Sequence, residues 1–224
     1  MKPRVSVRHV SKTYGSRRVL DDVSFRCVEG QVTGLIGPNG AGKTTMLRTI
    51  VGLLRPDTGA VLLDGHELPA ALARTCVAYF AGGSTLPGCV RVGRWVRLFQ
   101  NTDEGPESGR LVRVLSRGSR QVVGLRATLT IAKPELVVLD EPWEGLDPDG
   151  ARWLTDSIRV LRRGGACLIV SSHRLHDLAD VCDRYLFLDR GVATPVEAHD
   201  RDGGARPTVE ALYAAFDALR GPRT

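Results

Sequence analysis

Residues Gly37-Pro-Asn-Gly-Ala-Gly-Lys-Thr-Thr45 constrain the fold of this chain more than any other stretch. They fit the pattern G-x-x-x-x-G-K-S/T, with Gly37, Gly42, Lys43 and Thr44 in register. The flanks agree with the pattern. Val32-Thr-Gly-Leu-Ile36 reads as a buried strand, and Thr44 to Val51 reads as a helix. A strand, a glycine-rich turn and a helix in that order wrap backbone N–H groups around an anion. Glycine allows the tight path, and the helix presents its positive end to the same point. The segment therefore predicts a phosphate-binding loop formed by Gly37, Pro38, Asn39, Gly40, Ala41, Gly42, Lys43, Thr44 and Thr45. Lys43 is placed to reach the β- and γ-phosphates of a nucleotide, and the Thr44 hydroxyl to ligate Mg²⁺.

Short apolar strands alternate with helical stretches through the rest of the chain, which predicts an α/β fold with a mostly parallel sheet. The first thirty residues differ. Val5 to Val10, Val19-Leu20 and Val23 to Val28 read as short strands joined by turns, an N-terminal antiparallel β patch. Ala60 to Leu63 runs into Asp64-Gly65, a hairpin-like turn. Val77 to Phe80 is a further strand. From Gly82 the pattern changes: Gly82 to Gly88 reads as a loop, Val92 to Phe99 as a helix, and Asn101 to Gly109 as a polar connector. Residues 82–118 are therefore expected to form a short helical lobe inserted into one domain spanning 1–224.

The core resumes with a helix from about Ser119 to Ile131 and a strand at Leu136-Val-Val-Leu139. Ala166 to Val170 and Tyr185 to Leu188 are further strands, and their continuous apolar runs indicate burial on both faces. Pro207 to Leu219 reads as a closing amphipathic helix with Val209, Leu212, Tyr213 and Phe216 on one side.

Two carboxylates, Asp140 and Glu141, follow the strand at 136–139. In open parallel sheets, ligand chemistry gathers at this C-terminal edge. Asp140 is the expected Mg²⁺ holder, directly or through water, and Glu141 the group that polarises a water for attack on a γ-phosphate. A third element, Leu115-Ser-Arg-Gly-Ser119, comes just before a helix.

With these three elements in order, the chain resembles the nucleotide-binding subunits of ABC transporters over nearly its whole length. The resemblance implies a P-loop NTPase core that binds ATP with Mg²⁺ and hydrolyses it. In that family a Leu-Ser-Gly-Gly-Gln signature contacts the γ-phosphate of ATP held by the opposite protomer. Ser116 and Gly118 occupy its second and fourth positions here, while Arg117 and Ser119 depart from the commonest residues. A hydroxyl, a glycine N–H and a helix N-terminus make a compatible anion site. Tyr14 resembles the aromatic that stacks on adenine, and Asp147 the residue that communicates across the ATP dimer. His173 resembles the histidine that touches the γ-phosphate.

One family element is missing. A Gln usually ends the strand that leads into the helical lobe, and Gly82 is the nearest match here. That change bears on coupling and turnover more than on ATP binding.

The resemblance further implies a homo- or heterodimer of ATP-binding subunits working with a separate transmembrane permease. The stretch Asp140-Glu-Pro-Trp-Glu-Gly-Leu-Asp-Pro148 is similar to that of exporters with separately encoded permeases. Two other functions fit parts of the pattern: a soluble ABC-type ATPase acting on nucleic acid or the ribosome, and a regulatory ATP-binding module with little hydrolysis. The first usually carries two cassettes or long coiled-coil insertions. The missing Gln favours the second, while Lys43, Asp140, Glu141 and His173 oppose it.

Composition supplies the remaining expectations. Net charge is +6, nearly all the cations being Arg. They are spread without a dense block, so a solvated surface is expected and no nucleic acid partner. No apolar run reaches the roughly 18–20 residues that span a bilayer. The N-terminus, Met1-Lys-Pro-Arg-Val-Ser-Val-Arg, lacks the apolar segment of a signal peptide. A cytoplasmic protein is expected, held at the inner face of the membrane by its permease. The five cysteines make no C-x-x-C pair, which fits free, buried thiols and gives no support to a zinc site.

Overall fold

The computed structural model describes residues 3–67, 77–82, 86–97, 109–130, 133–197 and 208–220. The six-stranded sheet at its centre follows from the apolar runs. It is built from β3 (Val32–Ile36), β6 (Val77–Phe80), β7 (Leu136–Leu139), β8 (Cys167–Ser172), β9 (Arg184–Asp189) and β10 (Val192–Glu197). The spatial order is β10-β9-β3-β8-β7-β6. Every pairing is parallel except that of β10 with β9. The antiparallel β10 carries Pro195 and lies at an edge, where a missing N–H is tolerated.

Strand alternation divides the core into two layers, one on each face. Val137, Leu139, Leu168, Val170 and Phe187 face one layer. There they meet α3 (Arg117–Leu129), α4 (Pro148–Arg163), α5 (Leu175–Ala179) and α6 (Val209–Arg220) through Leu125, Leu154, Leu175 and Leu212. Leu136, Val138, Ile169, Leu186 and Leu188 face the other layer. That layer is filled by α1 (Lys43–Ile50), through Met46, Leu47 and Ile50, and by the antiparallel sheet. Both faces are covered, which is why these strands read as unbroken apolar runs.

The antiparallel patch is a four-stranded sheet in the order β2-β1-β4-β5, with β1 at Pro3–Tyr14, β2 at Arg17–Val28, β4 at Thr58–Leu63 and β5 at His66–Glu67. Val19-Leu20 and Val23 to Val28, read above as separate strands, form one strand. It continues through Asp22, whose φ is 50°, beside an irregularity in the β1–β2 register. Asp64-Gly65 makes the expected hairpin.

Residues 86–97 and 109–114 supply α2 (Val92–Arg97) and a short 3-10 turn at Val112–Val114. Val92, Val112 and Leu115 form a small cluster with Leu86, Val96 and Val123. The expected loop at 83–85, the end of the helix at 98–99 and the connector at 101–108 lie outside the described residues. So does Ile131.

Three expectations need correction. Helix α3 starts at Arg117 rather than at Ser119, because Ser116 caps it by accepting from the Ser119 N–H at 3.0 Å. Tyr213 lies on the exposed side of α6, at 45% exposure, whereas Leu212 is buried and Phe216 stacks on Phe187 with ring centroids 4.8 Å apart. Cys89 is an exposed thiol, not a buried one. Cys27, Cys167 and Cys182 are buried and free, and Cys76 lies outside the described residues. A hydrogen bond with Cys27 and burial hold the Cys167 thiol above its ordinary pKa, so it is inert at neutral pH.

Candidate functional site

Parallel pairing brings the loops after β3, β6, β7 and β8 to one edge of the sheet. The glycine-rich turn follows β3. Gly37 packs so closely on the Leu188 carbonyl that a Cβ there would collide with it. Gly40 and Gly42 have φ of 80° and 106°, and a Cβ on Gly42 would lie 2.8 Å from the Val19 carbonyl oxygen. These glycines are required by backbone path and by space together. Arg17 donates to the Gly40 carbonyl at 2.9 Å and ties the turn to β2. A cavity of about 320 Å³ opens beside it. Pro38, Asn39, Gly40, Gly42, Lys43, Thr44 and Thr45 line it, together with Tyr14, Asp140 and Glu141. Ala41 is buried behind the turn.

Lys43 is 6% exposed. Its ammonium donates to the Gly37 carbonyl at 2.7 Å and the Pro38 carbonyl at 3.3 Å. It also pairs with Glu141 Oε1 at 3.1 Å. The other carboxylate oxygen, Oε2, lies 2.9 Å from His173 Nδ1 and accepts from the His173 N–H at 3.3 Å. A carboxylate shared between a buried ammonium and an imidazole is held in one orientation.

Asp140 is 7% exposed. Its Oδ2 accepts from the Thr44 hydroxyl at 2.7 Å, and its Oδ1 from the Ser171 hydroxyl at 2.6 Å. Ser171 accepts in turn from the Glu141 N–H at 2.9 Å. Thr44 and Asp140 thus put a hydroxyl oxygen and a carboxylate side by side, the hard oxygen donors that Mg²⁺ takes alongside phosphate oxygens and water. Burial, and then the Asp140 carboxylate, raise the pKa of the Tyr79 hydroxyl, so the phenol adds no charge to this edge at neutral pH.

The sequence reading missed Ser171. It is fully buried, and its hydroxyl bridges the two acidic residues. The available signal was a hydroxyl at the end of a strand two positions before His173.

Tyr14 is half exposed at the cavity rim, with the Lys12 ammonium 5.9 Å from its ring centroid. Ser116, Gly118 and Asp147 do not line the cavity. Ser116 caps α3, and Asp147 caps α4 by accepting from the Gly150 N–H at 2.7 Å. Gly118 packs on the Gly145 carbonyl, where a Cβ would lie 2.5 Å from the oxygen. Gly82, just past β6, has a φ of 91°.

No described helix is long and apolar enough to cross a membrane.

A family profile described as "ABC transporter" matches residues 20–144. An ABC transporter ATP-binding protein of Methanocaldococcus jannaschii is 34% identical over 205 residues, covering 86% of this chain and 77% of its own length. The ABC transporter ATP-binding protein YhcH of Bacillus subtilis is 35% identical over 211 residues, covering 85% of this chain and 68% of its own. Among solved structures, the ATP binding subunit of an ABC transporter superposes with a TM-score of 0.81 at 26% identity, covering 95% of this chain and 98% of that one.

Proposed function

This chain belongs to the ABC transporter family as an ATP-binding subunit, and from that premise we propose that it hydrolyses ATP to drive export through a separate permease. One observation carries the hydrolytic reading. Lys43, Glu141 and His173 are joined by contacts of about 3 Å at the mouth of the glycine-rich turn, next to the Thr44–Asp140 pair.

In this reading, the backbone N–H groups of Asn39 to Thr45 surround the phosphates and Tyr14 stacks on the base. The arriving triphosphate competes with Glu141 for the Lys43 ammonium, which then neutralises β- and γ-phosphate oxygens. Glu141, released from that pair, takes a proton from a water as its oxygen bonds to the γ-phosphorus. The bond to the bridging oxygen breaks, and ADP and phosphate leave. His173 holds Glu141 in place and donates to the γ-phosphate. Thr44 and Asp140 would hold Mg²⁺, which supplies positive charge to the phosphate oxygens.

Because Ser116, Gly118 and Asp147 lie outside the cavity, they are assigned to the ATP of a second subunit, homo- or heteromeric. We treat residues 82–118 as a lobe within a single 1–224 domain, facing the permease. Export rests on the likeness of the 140–148 stretch to exporters with separate permeases. The same reading places the protein at the inner face of the cell membrane, with no nucleic acid partner.

The test is phosphate release from Mg²⁺–ATP by the purified chain, alone and with its proposed permease partner. Turnover that needs Mg²⁺ and changes with the permease is expected. Turnover indifferent to the permease but altered by RNA would favour the nucleic-acid reading.

Gly82 favours a weaker hydrolytic variant of the same function, because glycine supplies no side chain to metal or water. If that absence limits the rate, Gly82→Gln raises kcat. Unchanged kcat in a steady-state assay, in a variant that melts at the parent's temperature despite the φ of 91° at Gly82, would show that the local backbone already compensates.

A further inference from the structure

We infer that Gln121 is a positioning residue for Glu141, an inference that rests on the hydrolytic reading above. Glu141 has a φ of 47°, a conformation that L residues disfavour. Such a turn persists only where its surroundings hold it. The Ser171 hydroxyl holds the Glu141 N–H. At the other end, where the Glu144 N–H already donates to the Glu141 carbonyl at 3.1 Å, the turn is held by Gln121, a side chain of α3 that is 4% exposed. Its Nε2 donates to the Glu141 carbonyl at 3.1 Å and the Pro142 carbonyl at 3.0 Å. A side-chain amide has two N–H groups to give, and these two bonds match that number. Consecutive carbonyls are thereby gathered onto one nitrogen, which fixes the peptide planes that aim the Glu141 side chain at Lys43 and His173.

The helix carrying Gln121 is itself docked onto the segment it holds. Arg117 pairs with Glu144 at 2.5 Å, and Gly118 rests on the Gly145 carbonyl. Gln121 therefore reaches the turn from a fixed base. The bland alternative is a buried amide that only fills space. It differs in a measurable way, because a space-filler has no specific link to Glu141.

Gln121→Met keeps the length and volume but removes both amide hydrogen bonds, leaving the Glu141 carbonyl with the Glu144 N–H alone. It is expected to lower kcat for Mg²⁺–ATP by about 10- to 100-fold, the usual effect of removing a group that orients a reacting side chain. The Kd for ATP, measured by equilibrium titration, should stay within about threefold, since no phosphate contact is touched. In a Glu141→Gln background the same change should cost little further, because the two residues act as one unit. Gln121→Leu, which has no donor, should repeat the result and carries the test if the Met variant does not fold. The inference is overturned by a kcat within twofold of the parent. It is equally overturned by parallel loss of ATP affinity and kcat, or by an undiminished cost in the Glu141→Gln background. Absence of turnover in the unmodified chain would instead overturn the hydrolytic reading itself.

Discussion

Lys43→Ala is expected to lose ATP turnover by at least about 100-fold, and ATP affinity with it. The lysine is buried, and its ammonium already rests on the Gly37 and Pro38 carbonyls within the turn. Its position is thus fixed before a phosphate arrives, and little reorganisation is needed when the charge is used. Alanine removes the only side-chain cation in direct contact with the turn's Gly37 carbonyl among the described hydrogen bonds. It also leaves the Glu141 carboxylate with the His173 ring as its remaining side-chain partner among the described contacts. Both effects point the same way for catalysis: the γ-phosphate loses its counter-charge, and the carboxylate loses one of two restraints. Phosphate release and equilibrium binding of Mg²⁺–ATP would check this together. Wild-type affinity with wild-type turnover would remove Lys43 from the site.

Glu141→Gln is expected to separate binding from chemistry. The amide keeps the shape of the carboxylate but cannot take a proton from water, so kcat should fall by about 10²- to 10⁴-fold. ATP affinity should be kept or rise, because Lys43 is no longer ion-paired and is free for phosphate. Single-turnover phosphate release with a parallel binding isotherm reads both quantities. Hydrolysis at the unmodified rate would show that another group, or water alone, accepts the proton.

Much of this site was legible because its chemistry is compressed into short runs. Gly37 to Thr45 carries its own geometry, since each glycine answers to a backbone demand and the flanking strand and helix are visible as apolar periodicity. Asp140 and Glu141 were legible as charges at the end of an apolar strand. What escaped was whatever acquires meaning only across the sheet. Ser171 and Gln121 are thirty and twenty positions from Glu141. Nothing in their own segments says that a hydroxyl and an amide will hold either end of one strained turn. The error at Tyr213 has a similar origin. Helical spacing put it with Leu212 and Phe216, but the core cluster takes Leu212 and Phe216 and leaves Tyr213 outside. Helix α4 was missed in the sequence, although Asp147 as a cap followed by Pro148 at the first turn was a signal for it.

The packing around 116–121 also explains why Arg117 can stand where the family more often has glycine. Its side chain lies along Gly145, which has no Cβ to obstruct it, and pairs with Glu144, so the close approach of the Gly118 and Gly145 backbones is kept.

In the proposed function, two copies of this fold, or one copy and a close relative, enclose a nucleotide between the glycine-rich turn of one and the Ser116–Gly118 segment of the other. Sedimentation of the Glu141→Gln chain, titrated with Mg²⁺–ATP, measures this directly. The expected result is a nucleotide-dependent doubling of mass, absent with ADP and abolished by adding Lys43→Ala. A chain that saturates with ATP yet stays monomeric, alone and with its permease, would contradict it.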